Sequence, residues 1–408
     1  MGFTIEQECP QCGGPVELEE TDRLFRCPYC GVKSVLFSRD CCRFVLPARE
    51  DRRDLVYVPY LRFKGSVFTC DLDAVRYRIL DITHLGVPFK RFPLSLGLKP
   101  QAMKMRFAGP DRPGAYLKCR ITTHDIVARA ERRAPSSSGR EVFHRAFIGD
   151  AVSLIYLPLY VKEGTLFDGI THRPMARMPE EDDMFSTLMD DHPGWKPAFL
   201  PTLCPGCGWD LAGERDSVVL TCSNCETAWE AKGGELVPVD VKAVPSHHPG
   251  VVHLPFWRMS VRTTGIPIGS YADFIRATNQ PRVIQAAWED RTMAFWCPAF
   301  KIRPNRFLYL SRTLTVAQEG LTFDGGVPRG NRYAATLPVG EAIQAIKPVL
   351  AGSAVNKKRF MPRLPNVGVS IRDASLVYLP FQETIHEMIQ EQTGACINKN
   401  ALAWGRFL

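Results

Sequence analysis

The sequence has no long apolar run and no segment that would direct the chain to a membrane. Its longest uncharged apolar stretch, residues 151–161, is too short to span a bilayer and contains Pro158. The first ten residues lack the basic region and the apolar segment of a secretory signal. We therefore expect a cytoplasmic protein without membrane insertion.

Complete catalytic motifs are also lacking. The glycine-rich stretch 325–331 has no Lys-Ser/Thr pair of the kind that phosphate-binding loops need. His386 and Glu387 begin like a zinc-protease helix, but Gln390 stands where the second histidine is required. There is no Gly-x-Ser-x-Gly turn of the kind that carries a nucleophilic serine. An enzyme with an unrecognised pocket therefore remains only an alternative.

Cysteine, by contrast, is abundant and regularly spaced. Eight of the 14 cysteines form four C-x-x-C pairs, which combine into two sets of identical spacing. The sets are Cys9, Cys12, Cys27 and Cys30, and Cys204, Cys207, Cys222 and Cys225. Two tight turns that each aim two sulfurs at one point supply the tetrahedral thiolates that Zn²⁺ accepts. The spacing predicts two structural zinc ions, each with four protein ligands.

The segments CPQCGG…LFRCPYCG and CPGCGW…LTCSNC resemble the zinc-ribbon family. The resemblance covers about a fifth of the chain and implies a small hairpin module that zinc stabilises. Rubredoxin, an iron protein with similar turns, is the alternative, although its cysteine pairs lie further apart. Gly13, Gly31 and Gly208 follow the second cysteine of their pairs, where positive φ is useful. Glu226 takes this position in the fourth turn, which predicts a less regular turn there.

Matching segments recur in the same order in both halves of the chain. The cysteines repeat at a spacing of 195 residues, residues 56–60 repeat as 252–256, and residues 153–158 repeat as 375–380. The spacing grows along the chain, as it does when loops lengthen in one copy. We therefore expect an internal duplication, in which each half is a zinc ribbon followed by a β-rich body.

Runs of β-branched and aromatic residues predict that the bodies consist largely of strands. Helical patterns are fewer and cover residues 123–130, 339–350 and 381–392. The expected fold class is therefore α+β, mainly β.

The repeat and the composition predict five segments. Ribbon 1 covers residues 1–38, body 1 covers 39–172, a linker covers 173–198, ribbon 2 covers 199–238, and body 2 covers 239–408. The linker is predicted from its prolines and its acidic runs, which resist packing.

The formal net charge is +8, which falls to about +4 when two zinc ions each bind four thiolates. The ribbons are acidic and the bodies are basic, so a nucleic acid would bind to the bodies. The candidate phosphate contacts are basic residues near aromatic ones: Arg62, Lys64, Lys90, Arg91, Lys357, Lys358 and Arg359. Half-buried strands ordinarily show the same alternation, so nucleic-acid binding is the second hypothesis.

The leading hypothesis is a non-catalytic zinc-binding interaction or scaffold protein. It would bind protein partners as a component of a larger assembly. The alternatives are a nucleic-acid-binding protein that uses the basic bodies, and an enzyme with a pocket in those bodies.

Overall fold

The computed structural model describes most of the chain. The described residues are 2–50, 52–89, 92–110, 112–132, 141–177, 195–246, 248, 250–318 and 320–405. The architecture is mainly β, with 42% strand, 19% helix and a half-barrel sheet. The mainly β class predicted from the sequence is confirmed. No described helix is long and apolar enough to cross a membrane.

The described residues of the first half form strands β1 to β12 and two α-helices. The strands are β1 Thr4–Glu8, β2 Pro15–Glu19, β3 Leu24–Arg26, β4 Lys33–Phe37, β5 Cys42–Val45, β6 Val56–Asp71, β7 Val75–Leu85, β8 Met105–Phe107, β9 Ala115–Tyr116, β10 Val142–Lys162, β11 Thr165–Asp168 and β12 Pro174–Arg177. The helices are α1 Lys99–Ala102 and α2 Thr123–Arg132.

In the second half, the part of the chain that the structure describes forms strands β13 to β24 and six α-helices. The strands are β13 Ala198–Pro201, β14 Leu211–Ala212, β15 Val219–Cys222, β16 Ala228–Lys232, β17 Glu235–Val239, β18 Val241–Ala243, β19 Val252–Thr264, β20 Ala294–Pro298, β21 Asp324–Gly325, β22 Gly368–Glu383, β23 Glu387–Gln390 and β24 Ala395–Asn398. The helices are α3 Tyr271–Thr278, α4 Pro304–Ala317, α5 Val339–Ala342, α6 Ile346–Ser353, α7 Lys357–Phe360 and α8 Lys399–Gly405.

Ribbon 1 shares its sheets with other parts of the chain. Strand β1 pairs in parallel with β8, so the first hairpin of ribbon 1 belongs to the ten-stranded sheet of body 1. Strand β4 pairs with β13, which lies at the start of ribbon 2. Strand β12, in the predicted linker, pairs with β11 of body 1. Strand pairing thus crosses several of the predicted segment boundaries. The division into five segments stays a prediction.

Each body is built on a pair of long antiparallel strands rich in β-branched and aromatic residues. Strand β6 pairs with β10 in body 1, and β19 pairs with β22 in body 2. Pro59 lies opposite Tyr156, and Pro255 lies opposite Tyr378. Both strand pairs contain a bulge with one extra residue, at position 150 in β10 and at position 372 in β22. A short parallel strand flanks each strand pair, β5 beside β10 and β18 beside β22.

Two of the three predicted helical segments form helices. Residues 123–130 lie in α2, and residues 339–350 form α5, a short 3₁₀ turn and most of α6. The third prediction was wrong, because residues 381–392 form the end of β22, a turn and β23. Glu383 lies opposite Met388 in this hairpin. Pairing with neighbouring strands has overridden the weak helical pattern of the segment.

One hydrophobic core contains residues from both bodies. Phe68, near the end of β6, and Ile148, near the start of β10, belong to the same buried cluster as Phe307 of α4. The rings of Phe68 and Phe307 lie 6.1 Å apart. At the bulge, the backbone N–H of Gly149 donates to a carboxylate oxygen of Glu341 at 2.9 Å. This end of the β6–β10 strand pair is therefore buried against body 2.

Candidate metal centres

The four cysteines of ribbon 1 converge on one point. Cys9 and Cys12 lie in the turn between β1 and β2, and Cys27 and Cys30 lie in the turn between β3 and β4. The Sγ atoms are 3.8 Å apart for Cys9 and Cys30 and 3.7 Å apart for Cys12 and Cys27, and all four lie within 4.8 Å of one another. A tetrahedral zinc with bonds of about 2.3 Å requires sulfurs about 3.8 Å apart. These separations fit a metal and are far longer than a disulfide bond of about 2.05 Å.

Ribbon 2 repeats this arrangement. The Sγ atoms of Cys204 and Cys225 are 3.6 Å apart, and those of Cys207 and Cys222 are 3.5 Å apart. All four ligand atoms again lie within 4.8 Å of one another. The chain thus has two four-cysteine sites that could hold a metal ion, consistent with zinc-ribbon-like modules.

Four turns of similar backbone geometry hold the sulfurs in place. In the first turn, the N–H of Cys9 donates to the carbonyl of Gly14 at 2.8 Å, and the N–H of Gly13 donates to the carbonyl of Cys9 at 2.9 Å. Gly13, Gly31 and Gly208 adopt φ values of 73°, 72° and 75°, and Glu226 adopts 56°. Glu226 therefore takes the same left-handed conformation as the three glycines.

The surroundings of the ribbon 1 thiols shift the pKa of Cys27 and the pKa of Cys12 in opposite directions. Backbone hydrogen bonds, first from Cys30 and also from Tyr29, together with the neighbouring thiols lower the pKa of Cys27 to about 6. The backbone of Gly14 lowers the pKa of Cys12, but Cys30, burial and Cys27 outweigh it and raise that pKa to about 12. One thiolate is thus favoured, and further negative charge beside it is disfavoured. A divalent cation removes that penalty, because its charge stabilises several thiolates together.

The ribbon 2 sulfurs show the same division. Burial raises the pKa of Cys204, but backbone N–H groups of Gly206 and Cys207 and the hydroxyl of Thr227 outweigh it and lower that pKa to about 6. Burial and the neighbouring thiols raise the pKa of Cys222 to about 11. Both sites therefore have the electrostatics of cation sites.

The two ribbons pack on each other. The carbonyl of Arg215, at the tip of the ribbon 2 hairpin, accepts hydrogen bonds from the N–H groups of Arg23 at 2.6 Å and Leu24 at 2.8 Å. The Arg215 side chain forms an ion pair with Asp22. Leu24 is also buried in one small cluster with Cys222 of the second site. The metal sites are therefore parts of one paired module.

The predicted phosphate contacts do not all lie on the surface. Arg62 is only 2% exposed, and its Nε and Nη2 donate to the Glu20 carboxylate at 2.6 and 2.9 Å. Its Nη1 donates to Asp81 at 2.6 Å. Lys64 is only 7% exposed. Arg62 and Lys64, which were candidates only under the nucleic-acid alternative, are therefore excluded as phosphate contacts, because both side chains lie inside the fold.

The remaining candidates are divided. Lys358 and Arg359 are exposed in α7, Lys357 is half-buried there, and Lys90 and Arg91 lie outside the described residues. Sequence reasoning missed the role of Glu20, because no local pattern announces a partner that lies 42 residues from Arg62.

The chain matches no protein-family model, no curated protein and no solved structure. Within the described residues, the groups of three or more cysteine, histidine or carboxylate ligands close enough to share an ion are the two cysteine sets. These two sites are the chemistry from which a function can be inferred.

Proposed function

We propose that both sites bind structural Zn²⁺ and that the protein is a non-catalytic interaction or scaffold protein within a larger assembly. The observation that carries the proposal is the sulfur geometry, with separations of 3.5 to 3.8 Å between opposed cysteines. Four protein thiolates complete a tetrahedral shell and leave no position for a water or a substrate. A structural role for the metal follows.

The chain is proposed to be a duplication of one ribbon-and-body unit. The matched registers and the matched bulges of the β6–β10 and β19–β22 strand pairs support this, as do two hydrogen bonds outside these pairs. The N–H of Arg120 donates to the carbonyl of Gly86 at 2.7 Å, and the N–H of Thr336 donates to the carbonyl of Ala299 at 2.8 Å. A helix begins three residues after each of these donors, α2 and α5 respectively. Equivalent backbone bonds before equivalent helices are expected of a repeated unit.

The paired ribbons carry the features that favour a protein partner. Tyr29 is 65% exposed, Trp209 is 59% exposed and Leu203 is 53% exposed, all within or beside the cysteine turns. Aromatic residues are enriched in protein–protein interfaces, whereas lysine and the acidic residues are depleted there. Exposed rings on a turn that the metal holds rigid lose little conformational freedom on binding.

The metal assignment is tested by elemental analysis of protein prepared without added metal. We expect about two zinc ions per chain, as two sites with four ligands each require. A coloured, reducible iron centre would contradict the assignment, and so would a zinc content near zero in reduced protein.

The interaction role is tested by affinity purification from the native cell, with and without nuclease. We expect protein partners that survive nuclease treatment and are lost from the double variant Tyr29→Ser, Trp209→Ser. The matched control is Val283→Ser, which changes an exposed apolar residue of body 2 that is 88% exposed. Partners that disappear with nuclease would instead favour the nucleic-acid alternative.

A further inference from the structure

Arg258 is a half-buried arginine without a protein partner for its charge. It lies in β19, directly opposite Trp296 of β20 and Ser375 of β22. Its guanidinium carbon lies 5.5 Å from the centre of the Phe323 ring. Among the described residues, it makes no hydrogen bond and no ion pair. Burial lowers the pKa of Arg258, which the more distant carboxylates of Asp373 and Asp240 only partly offset.

Both cross-strand neighbours of Arg258 have buried polar atoms that the protein does not satisfy. Trp296 and Ser375 are each 0% exposed, and the indole Nε1 and the hydroxyl Oγ find no hydrogen-bond partner in the described protein. Such unsatisfied buried groups are rare in folded proteins and call for an explanation. The hydroxyl of Ser153, opposite Arg62 in body 1, also finds no partner among the described residues, so the Trp296 indole is the group that indicates a missing ligand. The Phe323 ring stacks on Trp296 at 6.1 Å, so one aromatic ring adjoins both Trp296 and Arg258.

Body 1 shows how the same arginine is satisfied in the other half. Arg62 lies opposite Ser153, as Arg258 lies opposite Ser375. The guanidinium of Arg62 binds the Glu20 carboxylate through two hydrogen bonds and also binds Asp81. Arg62 thus occupies a socket that is formed by the carboxylates of Glu20 and Asp81.

Glu20, the first acidic partner of Arg62, has no acidic equivalent in the second half. The ribbon turn in which Glu20 lies closes with the N–H of Asp22 donating to the carbonyl of Glu19 at 3.0 Å. In ribbon 2, the N–H of Ser217 donates to the carbonyl of Glu214 at 3.0 Å in the same way. In each turn, two residues separate the acceptor from the donor. The first of these two residues is Glu20 in ribbon 1 and Arg215 in ribbon 2, so Arg215 takes the place of Glu20.

The second acidic partner is replaced as well. Asp81 lies opposite Lys64 on β7, and the corresponding position on β20, opposite Ser260, is Ala294. The second half has therefore kept the arginine and the serine and has lost both carboxylates that form the socket in the first half.

We propose that Arg258, with Trp296 and Ser375 beside it, binds the carboxylate of a small organic acid supplied from outside the chain. The equivalence of Arg258 and Arg62 rests on the proposed duplication of the chain. A guanidinium fork matches a carboxylate in a bidentate geometry, which is the geometry that Glu20 adopts on Arg62. The Phe323 ring lies beside the guanidinium and is only partly buried, so an acid with an aromatic or apolar body fits better than a compact mineral anion.

The test uses the full zinc-loaded chain and isothermal titration with benzoate, benzamide and inorganic phosphate. We expect saturable binding of benzoate, and weaker or no binding of benzamide, which has the same ring without the charge. Absence of saturable benzoate binding would overturn the proposal, and so would equal binding of benzamide. Preference for phosphate over benzoate would also overturn it, because it would identify a general anion site.

Variants separate the site from other cations on the surface. Arg258→Met should abolish benzoate binding, and Arg258→Lys, which keeps the charge but loses the fork, should weaken it about tenfold. Arg262→Met, on an exposed position of the same strand, is the matched control and should bind like the parent chain. Unchanged affinity in both Arg258 variants would overturn the proposal, and Arg258→Lys keeps the test valid if Arg258→Met does not fold.

The Asp373 carboxylate could compete with a bound acid for Arg258, and the variant Asp373→Asn tests this. If the proposal is right, this variant binds benzoate at least as tightly as the parent and loses no stability. A marked loss of stability would show that Asp373 is the partner of Arg258 in solution and would overturn the proposal. Zinc content is measured on the same samples, so failure of carboxylate binding with two zinc ions present leaves the metal proposal standing.

Discussion

Glu226 adopts a backbone conformation that three glycines adopt in the equivalent turns. A side chain in the left-handed region costs roughly 1–2 kcal/mol, whereas glycine bears no such cost. The Glu226 carboxylate pairs with Arg329 at 2.9 Å, but the Arg329 side chain is 91% exposed. An exposed ion pair of this kind contributes little, about 0–1 kcal/mol.

We therefore predict that Glu226→Gly raises the free energy of unfolding by about 1 kcal/mol. Urea unfolding of zinc-loaded protein measures the change, and chelator competition shows whether zinc is held more tightly. Arg329→Ala is the control for the ion pair and should change stability by no more than about 0.5 kcal/mol. A lower unfolding midpoint for Glu226→Gly would mean that the contacts of Glu226 with body 2 outweigh the strain.

The ion cluster around Arg62 allows a second prediction at this scale. Arg62 and Glu20 side chains are each 2% exposed, and Asp81 is 31% exposed. Removing one partner of a buried pair leaves the other charge uncompensated, at a cost of about 3–5 kcal/mol. Glu20→Gln should therefore destabilise the protein by about 3 kcal/mol, and Asp81→Asn by clearly less, because water reaches Asp81. Equal losses in the two variants, measured by chemical unfolding, would contradict this ranking.

The two four-cysteine sites lie in hydrophobic clusters of different size. Cys9 and Cys27 are buried in the main core of body 1, together with Phe44 and Met105. Cys204 and Cys222 are buried in the small cluster between the ribbons. Loss of the first metal should therefore disturb a large core, and loss of the second should disturb a small one.

We predict that Cys27→Ser and Cys222→Ser each reduce zinc content from about two ions to about one. Cys27→Ser should also lower the midpoint of global unfolding substantially, whereas Cys222→Ser should leave most of body 1 intact. Elemental analysis and hydrogen exchange of β6 and β10 measure the two effects. Protection of these strands that is lost equally in both variants would show that the ribbons stabilise the fold as one unit.

The two four-cysteine sites were predictable from sequence because their cysteines lie in short turns of fixed spacing. The strands that contain Pro59 and Pro255 were predictable for a similar reason, since a strand pattern is a local property. The helix expected at residues 381–392 was wrong, since pairing with distant strands decided the structure. The burial of Arg62 was also missed, because its partner Glu20 is distant in sequence. Local chemistry was readable, and long-range pairing was not.

At the scale of the whole molecule, the two halves are joined by burial. The end of the β6–β10 strand pair that contains Phe68 and Ile148 enters the core of body 2, and both strands pack against α6. His144 lies in β10 beside this contact, opposite Cys70 of β6 and within the electrostatic influence of Lys347 in α6. A charge that appears on His144 would therefore be placed in a partly buried junction next to a lysine.

Burial and Lys347 lower the pKa of His144 to about 4, from 6.5. The folded protein thus keeps His144 neutral at about pH 5, where the unfolded chain is protonated. Between pH 6.5 and about 4 the unfolded state binds more protons, so this histidine causes stability to fall as the pH falls through that window. Below about pH 4 its contribution no longer changes. We predict that urea unfolding at about pH 7 and pH 5 shows a smaller loss of stability for His144→Gln than for the parent chain. Identical pH dependence of the two proteins would mean that His144 is protonated in the folded state and that the junction accommodates its charge.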